Sequence, residues 1–257
     1  IADTKTKDEN FIKLKYILDL IKKNDYQTLE ENNIYVPSYL KNCELAKSKI
    51  IDLIYGLIFD QKLVRIKSEK QLILYCYRVA GTVGVLMCIA LECKDKNSFN
   101  FAVDLGIAMQ LTNILRDIEE DAKLNRRYLP GNFINDLNPK QILFLTKDYN
   151  HSNHLILNDA IKKILPISEF YYSSGNQGLV FLNFKFRIAI AIASNIYREI
   201  GVKLKKNKFV WYKGRIYTTN FEKLKLTLKT FVNIFVLFKS KFPKHDKSLH
   251  KHLKEIL

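Results

Sequence analysis

Nine glycines and five prolines are spread over 257 residues, while apolar residues make up 47% of the chain. Turn-rich sheet proteins need punctuation about every 8–12 residues. So few breakers favour long helices, and the expected fold class is all-α.

Apolar spacing places the helices. Phe11, Leu14, Ile17, Leu18 and Ile21 recur at helical intervals, and a polar break with Pro37 follows near residues 32–38. A second periodic segment runs from about Leu40 through KSKIIDLIYGLIFD, and QKLVRIKS reads as a connector. Ser68 followed three residues later by Gln71 is a capping-box signal for the next helix, EKQLILYCYRVAGTVGVLMCIALE. That helix carries Gly81 and Gly84 in its middle. Each glycine costs about 1 kcal/mol relative to alanine in a helix, so close approach of another helix or of a bound ligand should compensate. Ser98 to Ala122 reads as one further helix, with Asn125 where a left-handed C-cap residue is expected. The remaining helical patterns end in the amphipathic FEKLKLTLKTFVNIFVLFKSKF. No repeat or dividing linker is evident, so residues 1–257 are expected to form a single domain.

The formal net charge is +16, and it is concentrated. From Gly201 onward fifteen Lys/Arg residues stand against Glu222, Asp246 and Glu255, so 12 of the 16 net charges lie there. Two readings stay open: compositional drift towards lysine, and an anionic-surface function. No nucleic-acid module accompanies the charge, so no nucleic-acid partner is expected. The expectation is peripheral association with anionic lipid. Cys43, Cys76, Cys88 and Cys93 show no CxxC spacing and fit a reducing cytoplasm. The C-terminal apolar run TFVNIFVLF is shorter than the ~20 residues a membrane-spanning helix needs. The expected location is cytoplasmic, peripheral on the inner face of the membrane.

In MQLTNILRDIEEDAKLNRRYLP, Gln110, Asn113, Asp117 and Asp121 follow at helical steps and so share one face. The preceding turns carry Ala102, Leu105, Ile107 and Met109. A stripe that passes from hydrocarbon to amide to carboxylate can line a cavity greasy at one end and ionic at the other. The same spacing also suits a solvated face with Arg116, Glu119, Glu120 and Lys123. If the aspartates hold metal, Mg²⁺ is the candidate, a hard cation that takes oxygen ligands and leaves positions for substrate phosphates. Arg126 and Arg127, just beyond, could hold phosphate oxygens or satisfy the last helix carbonyls.

YCYRVAGTVG (residues 75–84) followed by AMQLTNILRDIEEDAKLNRRYLP (residues 108–130) resembles the squalene/phytoene synthase family, the trans-isoprenyl diphosphate head-to-head synthases, and is most similar to its bacterial phytoene synthase members. Asn113, Asp117 and Asp121 match the family's second aspartate-rich motif, N-x-x-x-D-x-x-x-D. Weaker similarity covers YYSSGNQGL, RIAIAIASNIYREIGVKL and the EKLKL after Arg215. Asn125 stands where the family usually has glycine, and Asn183-Phe184 replace a usual proline pair. The family's first motif ends D-D-I-A-D whereas this chain begins Ile1-Ala2-Asp3. Asp3 is therefore expected to be that motif's last aspartate, in an N-terminally truncated sequence.

The resemblance implies a single-domain isoprenoid synthase (class I terpenoid synthase) helical fold with a central cavity. It implies a Mg²⁺-dependent prenyltransferase of carotenoid synthesis, using two or three ions bound with substrate diphosphate. Two geranylgeranyl diphosphates would condense head to head through a cyclopropylcarbinyl diphosphate to phytoene, without NADPH. Asp117, Asp121, Asn113 and Asp3 would be metal ligands; Gln110, Arg116 and Arg126 would attend the diphosphates. Tyr75, Tyr197 and Tyr128 would offer aromatic faces to a cation, with Tyr75 facing the cavity. Val79, Val83, Gly84, Met87, Ala102, Leu105 and Met109 would line the prenyl channel, the glycine pair leaving room for substrate. Two alternatives remain open: a farnesyl diphosphate enzyme making squalene, hydroxysqualene or dehydrosqualene, and a non-catalytic scaffold on the same fold.

Overall fold

The computed structural model describes residues 2–232 and 242–256, with side chains from Thr6 onward. In chain order the helices are α1 (Ala2–Lys23), α2 (Tyr26–Glu31), α3 (Ser38–Lys41), α4 (Glu44–Asp60), α5 (Glu69–Cys76), α6 (Thr82–Ala90), α7 (Ser98–Arg116), α8 (Ile118–Lys123), α9 (Pro139–Leu145), α10 (Asn153–Gln177), α11 (Phe184–Lys206) and α12 (Asn220–Val232). Among the described residues there is no strand, only an isolated parallel bridge between Arg65 and Arg127.

Local chemistry sets several of these boundaries. α1 stops where Asn24 takes a left-handed φ of 58°, earlier than the Pro37 break suggests. Asn is among the few side chains that tolerate that conformation. The Ser68 hydroxyl accepts from the Gln71 amide at 3.4 Å, and the Gln71 side chain reaches back to the Lys67 amide at 2.7 Å, a capping box displaced by one residue. Asn125, one residue past the Leu124 C-cap of α8, has φ 55°, the left-handed conformation common at that position.

Two expected helices are interrupted. Residues 69–90 form α5 and α6 with a π turn, Tyr77–Gly81, between them. This stretch is apolar and long enough to cross a bilayer by composition, but in the fold it packs between α4 and α7. The helix expected over residues 98–122 breaks at Asp117, whose φ/ψ of −106°/23° leaves the helical region. The Asp117 amide still donates to the Asn113 carbonyl at 2.9 Å, and its carbonyl accepts from Asp121 at 2.8 Å. The chain bends there without losing its ladder, so Asp117 and Asp121 lie either side of a joint.

α7 is the central element. Phe101, Val103, Ile107, Ala108, Leu111, Ile114 and Leu115 are each no more than 2% exposed, which buries it on most sides against α6, α10 and α11. Two glycines explain how close its neighbours come. A Cβ on Gly84 of α6 would stand 2.3 Å from the Ala102 carbonyl oxygen of α7, and one on Gly106 of α7 would stand 2.3 Å from the Ala80 carbonyl oxygen. The two helices therefore touch backbone to backbone. Of the two gains considered for mid-helix glycine, close helix approach is the one these distances supply. A smaller apolar cluster, built on Leu18, Leu20, Ile21, Leu29, Ile54 and Ile58, joins α1 and α2 to α4.

Candidate functional site

An apolar cavity of about 380 Å³ lies beside α7, walled by α6, α10 and α11. The helical period brings Val79, Val83, Gly84 and Met87 to it from one side and Ala102, Leu105 and Met109 from α7. One end changes character: Gln110, Asn113 and Tyr197 are the polar residues there. The Asn113 side-chain oxygen is buried without a hydrogen-bond partner, an unmet acceptor of the kind that calls for a cation or a donor from a ligand.

Beyond Asn113, α7 carries the chain to the carboxylates. Asp117 is gripped by two arginines. Arg116 donates to Oδ1 at 2.8 Å and to Oδ2 at 2.5 Å, and Arg215, from the loop after α11, donates to the same oxygens at 2.7 and 3.2 Å. Burial, the largest single influence, works to raise the Asp117 pKa, but the hydrogen bonds from Arg116 and Arg215 outweigh it and hold the group below the usual carboxylate value. Asp121 lacks such partners. Burial first, then the charge of Asp117, push it up to about 7, against the attraction of Arg126.

A third acid joins this end. Asp60, the last residue of α4, accepts hydrogen bonds from the Tyr128 hydroxyl at 2.8 Å and the Tyr75 hydroxyl at 3.0 Å. Burial raises its pKa, with the two tyrosines and Arg126 opposing. The tyrosine rings stack at 4.8 Å, and the Arg126 guanidinium donates to the Asp60 carbonyl at 3.3 Å. Asp117, Asp121 and Asp60 with the orphaned Asn113 oxygen are hard oxygen donors at this end, three carboxylates facing the guanidinium groups of Arg116, Arg126 and Arg215. That donor set fits Mg²⁺.

The structure corrects the expected layout at several places. Tyr75 does not line the cavity; it is turned to Asp60 and packed between Phe59 and Tyr128. Tyr128 is likewise part of that stack. Arg127, considered with Arg126 as a phosphate partner, is 4% exposed and turns away to Asp136 and the Ile66 and Leu137 carbonyls. Gly84 borders the cavity, but its bareness is consumed by the contact with α7. The Asp3 side chain lies outside the described residues.

Two site residues escaped the sequence reading. Asp60 had a local signal, since an acid at a helix C-terminus opposes the macrodipole and asks for another reason to be there. Arg215 had none: it meets Asp117 across 98 positions of sequence.

Residues 38–222 match the squalene/phytoene synthase family model. The chain is 33% identical over 178 residues to the phytoene synthase of Pseudescherichia vulneris, covering 69% of this chain and 56% of that protein. It is 32% identical over 185 residues to the 15-cis-phytoene synthase of Pantoea ananas, covering 72% and 59%. The chain thus spans less than two thirds of the length of these relatives. In structure it is similar to a dehydrosqualene synthase solved in complex with ligand, with a TM-score of 0.62 at 21% identity, covering 90% of this chain and 88% of that one. The all-helical bundle around a cavity is the class I terpenoid synthase fold, and the chain belongs to the squalene/phytoene synthase family.

Proposed function

We propose that the chain acts as a phytoene synthase, a prenyltransferase that joins two geranylgeranyl diphosphates head to head and releases diphosphate. The observation that carries this reading is the continuity along α7, from the apolar cavity through Gln110 and Asn113 to Asp117 and Asp121. A prenyl chain fits the apolar part and a diphosphate the ionic end. The likeness to bacterial phytoene synthases supports geranylgeranyl over farnesyl substrate.

Asp117, Asp121 and Asn113 would hold Mg²⁺, with Asp3 as a further ligand. When bound, the metal neutralises a leaving diphosphate and so favours C–O cleavage. The chain's own groups do the rest. Arg116, Arg126 and Arg215 supply cationic donors to phosphate oxygens, Tyr197 offers an aromatic face at the cavity's polar end, and the apolar walls exclude water from a carbocation. The reaction closes by loss of a proton, so product should form without NADPH. Mass spectrometry of products formed with Mg²⁺ and either diphosphate tests the reading. Phytoene from geranylgeranyl diphosphate is expected; a C30 hydrocarbon from farnesyl diphosphate alone would reject it, and no turnover of either would favour a scaffold.

Arg215 reaches Asp117 from outside the helical wall, half exposed, so it is placed to exchange the carboxylate for an incoming phosphate. Arg215→Ala is expected to lower kcat/KM by about 10- to 100-fold, mainly through KM. Steady-state kinetics over a range of diphosphate concentration reads that split, and unchanged KM would remove the role.

The basic C-terminal part is proposed to lie on anionic lipid at the cytoplasmic face, where a hydrocarbon product must go. On α12 Phe221, Leu224, Leu228 and Phe231 are all exposed at helical spacing, while Thr230 on the opposite side bonds Asn195 of α11. Lys225 and Lys229 flank the stripe. An apolar face edged by lysine suits an interfacial helix. Joint Leu224→Glu and Leu228→Glu substitution should reduce flotation with anionic liposomes by about tenfold; binding indifferent to both lipid charge and these substitutions would exclude the surface.

A further inference from the structure

On the side of α7 away from the carboxylate joint, Asp104 is fully buried. Its Oδ1 is 2.7 Å from His250 Nε2, and its Oδ2 is 2.7 Å from His245 Nε2 and accepts from the Ser174 hydroxyl of α10 at 2.5 Å. The three ligand atoms of Asp104, His245 and His250 lie within 4.8 Å of one another. The His245 ring stands edge-on to Phe101 at 5.2 Å and 4.5 Å from the His250 ring. Nearby, the Tyr171 hydroxyl donates to the Leu249 carbonyl at 2.7 Å, so the C-terminal segment is fastened to α7 and α10 around this point.

A buried carboxylate needs compensating positive charge. In this structure the carboxylate's partners are the two imidazoles and the Ser174 hydroxyl, and a bound cation would supply charge that a neutral ring does not. Two imidazole nitrogens and one carboxylate oxygen are a donor set suited to Zn²⁺ and ill suited to Mg²⁺, which takes oxygen. With metal–ligand bonds of about 2.0–2.2 Å in a tetrahedral arrangement, neighbouring ligand atoms stand roughly 3.3 Å apart. The two Asp104–histidine contacts, now 2.7 Å, would each have to lengthen by about half an ångström. Each neutral ring would bind through Nε2 with its proton moved to Nδ1, and water or Ser174 Oγ would complete the fourth position.

We propose that Asp104, His245 and His250 form a structural Zn²⁺ site that ties the C-terminal segment to the central helix. The site shares no ligand with the aspartate-rich end and stands or falls independently of the synthase reading.

The test uses the untagged full chain, stripped with chelator and held in excess Mg²⁺ without diphosphate. Zn²⁺ is titrated by calorimetry, and bound metal is counted by elemental analysis after gel filtration. One equivalent is expected, with a higher Tm on binding. His245→Gln and His250→Gln should each weaken binding by about 100-fold, while Asp121→Asn should bind like the parent. Co²⁺ bound to the parent should give visible bands of tetrahedral intensity, a readout that survives any failure of the variants to fold. Substoichiometric Zn²⁺ binding, binding untouched by the histidine substitutions, or a Co²⁺ spectrum like that of the free aqueous ion would overturn the site.

Discussion

Asp121→Asn is expected to cost about 10²- to 10³-fold in kcat while leaving the metal-free protein as stable as the parent or firmer. The two outcomes share one cause. Asp121 is pushed up to about 7 by burial and by the nearby charge of Asp117, so in the empty site its ionised form is an electrostatic cost. An amide of the same shape removes that cost and also removes the ligand oxygen's charge that the reaction would use. A gain on the order of 1 kcal/mol would raise Tm by about 2–4 °C in a chain of this size.

The pH dependence has a definite sign. The folded, metal-free protein holds the Asp121 proton up to about 7, whereas an unfolded aspartate releases it near 4. Between those values the folded state binds more protons than the unfolded one, so stability falls as pH rises across the window and levels off above it. Tm measured in EDTA at pH 5 and pH 8 should therefore fall more for the parent than for Asp121→Asn. Asp117 works in the opposite direction, because its pKa is held down by arginine. Its contribution is present at neutral pH and is lost only in acid. Parallel pH profiles for parent and variant would show that Asp121 is not the strained member of the pair. Turnover within tenfold of the parent would remove it from the metal site.

What the chain spells out locally, it spells out well. The Ser68 cap, the left-handed Asn125 and the apolar periods of α4, α7 and α11 each depend on residues within about one turn of each other, which is the range over which sequence patterns act. The apolar-to-polar stripe of α7 was legible for the same reason, whereas the lining residues of the π turn and α6 came from the family resemblance, since period alone reads them equally well as ordinary core. The break at Asp117 was not legible, since Ile118, Glu119 and Glu120 continue the helix comfortably. It coincides with a place where two arginines, one from 98 positions away, pull on a single carboxylate. Tyr75 was misplaced for a similar reason. Period alone cannot tell a residue facing the cavity from one facing α4, and the partner that decides the matter, Asp60, lies in another helix. Asp104 was invisible as a charged core residue until His245 and His250 arrived from the far end of the chain.

The largest stability effect is expected at a glycine rather than at any charged group. Gly106→Ala adds one methyl group 2.3 Å from the Ala80 carbonyl oxygen, 2.6 Å from its carbon and 2.8 Å from the Gly81 nitrogen. These three nearest atoms are all main chain, so no rotamer change can relieve the contact, and α7 must separate from the π turn and α6. Overpacking of a core by this route costs about 3 kcal/mol or more, a fall in Tm of roughly 6–12 °C. Gly201→Ala is the matched comparison, also a helical glycine in the core. Its Cβ would meet only the tip of Leu165, Cδ1 at 2.8 Å, which can swing aside while the helix gains up to about 1 kcal/mol of propensity. Urea denaturation of both variants should therefore give changes far apart in size, with Gly201→Ala near neutral. The consequence for the site follows from position: Ala80, Gly84, Ala102 and Gly106 all border the cavity. Prising the helices apart reshapes the prenyl wall as it destabilises the fold, so whatever Gly106→Ala protein remains folded should also lose selectivity between the two diphosphate chain lengths. A Gly106→Ala protein melting within a degree of the parent would mean that α6 and α7 are not in backbone contact, and the cavity described between them would have to be redrawn.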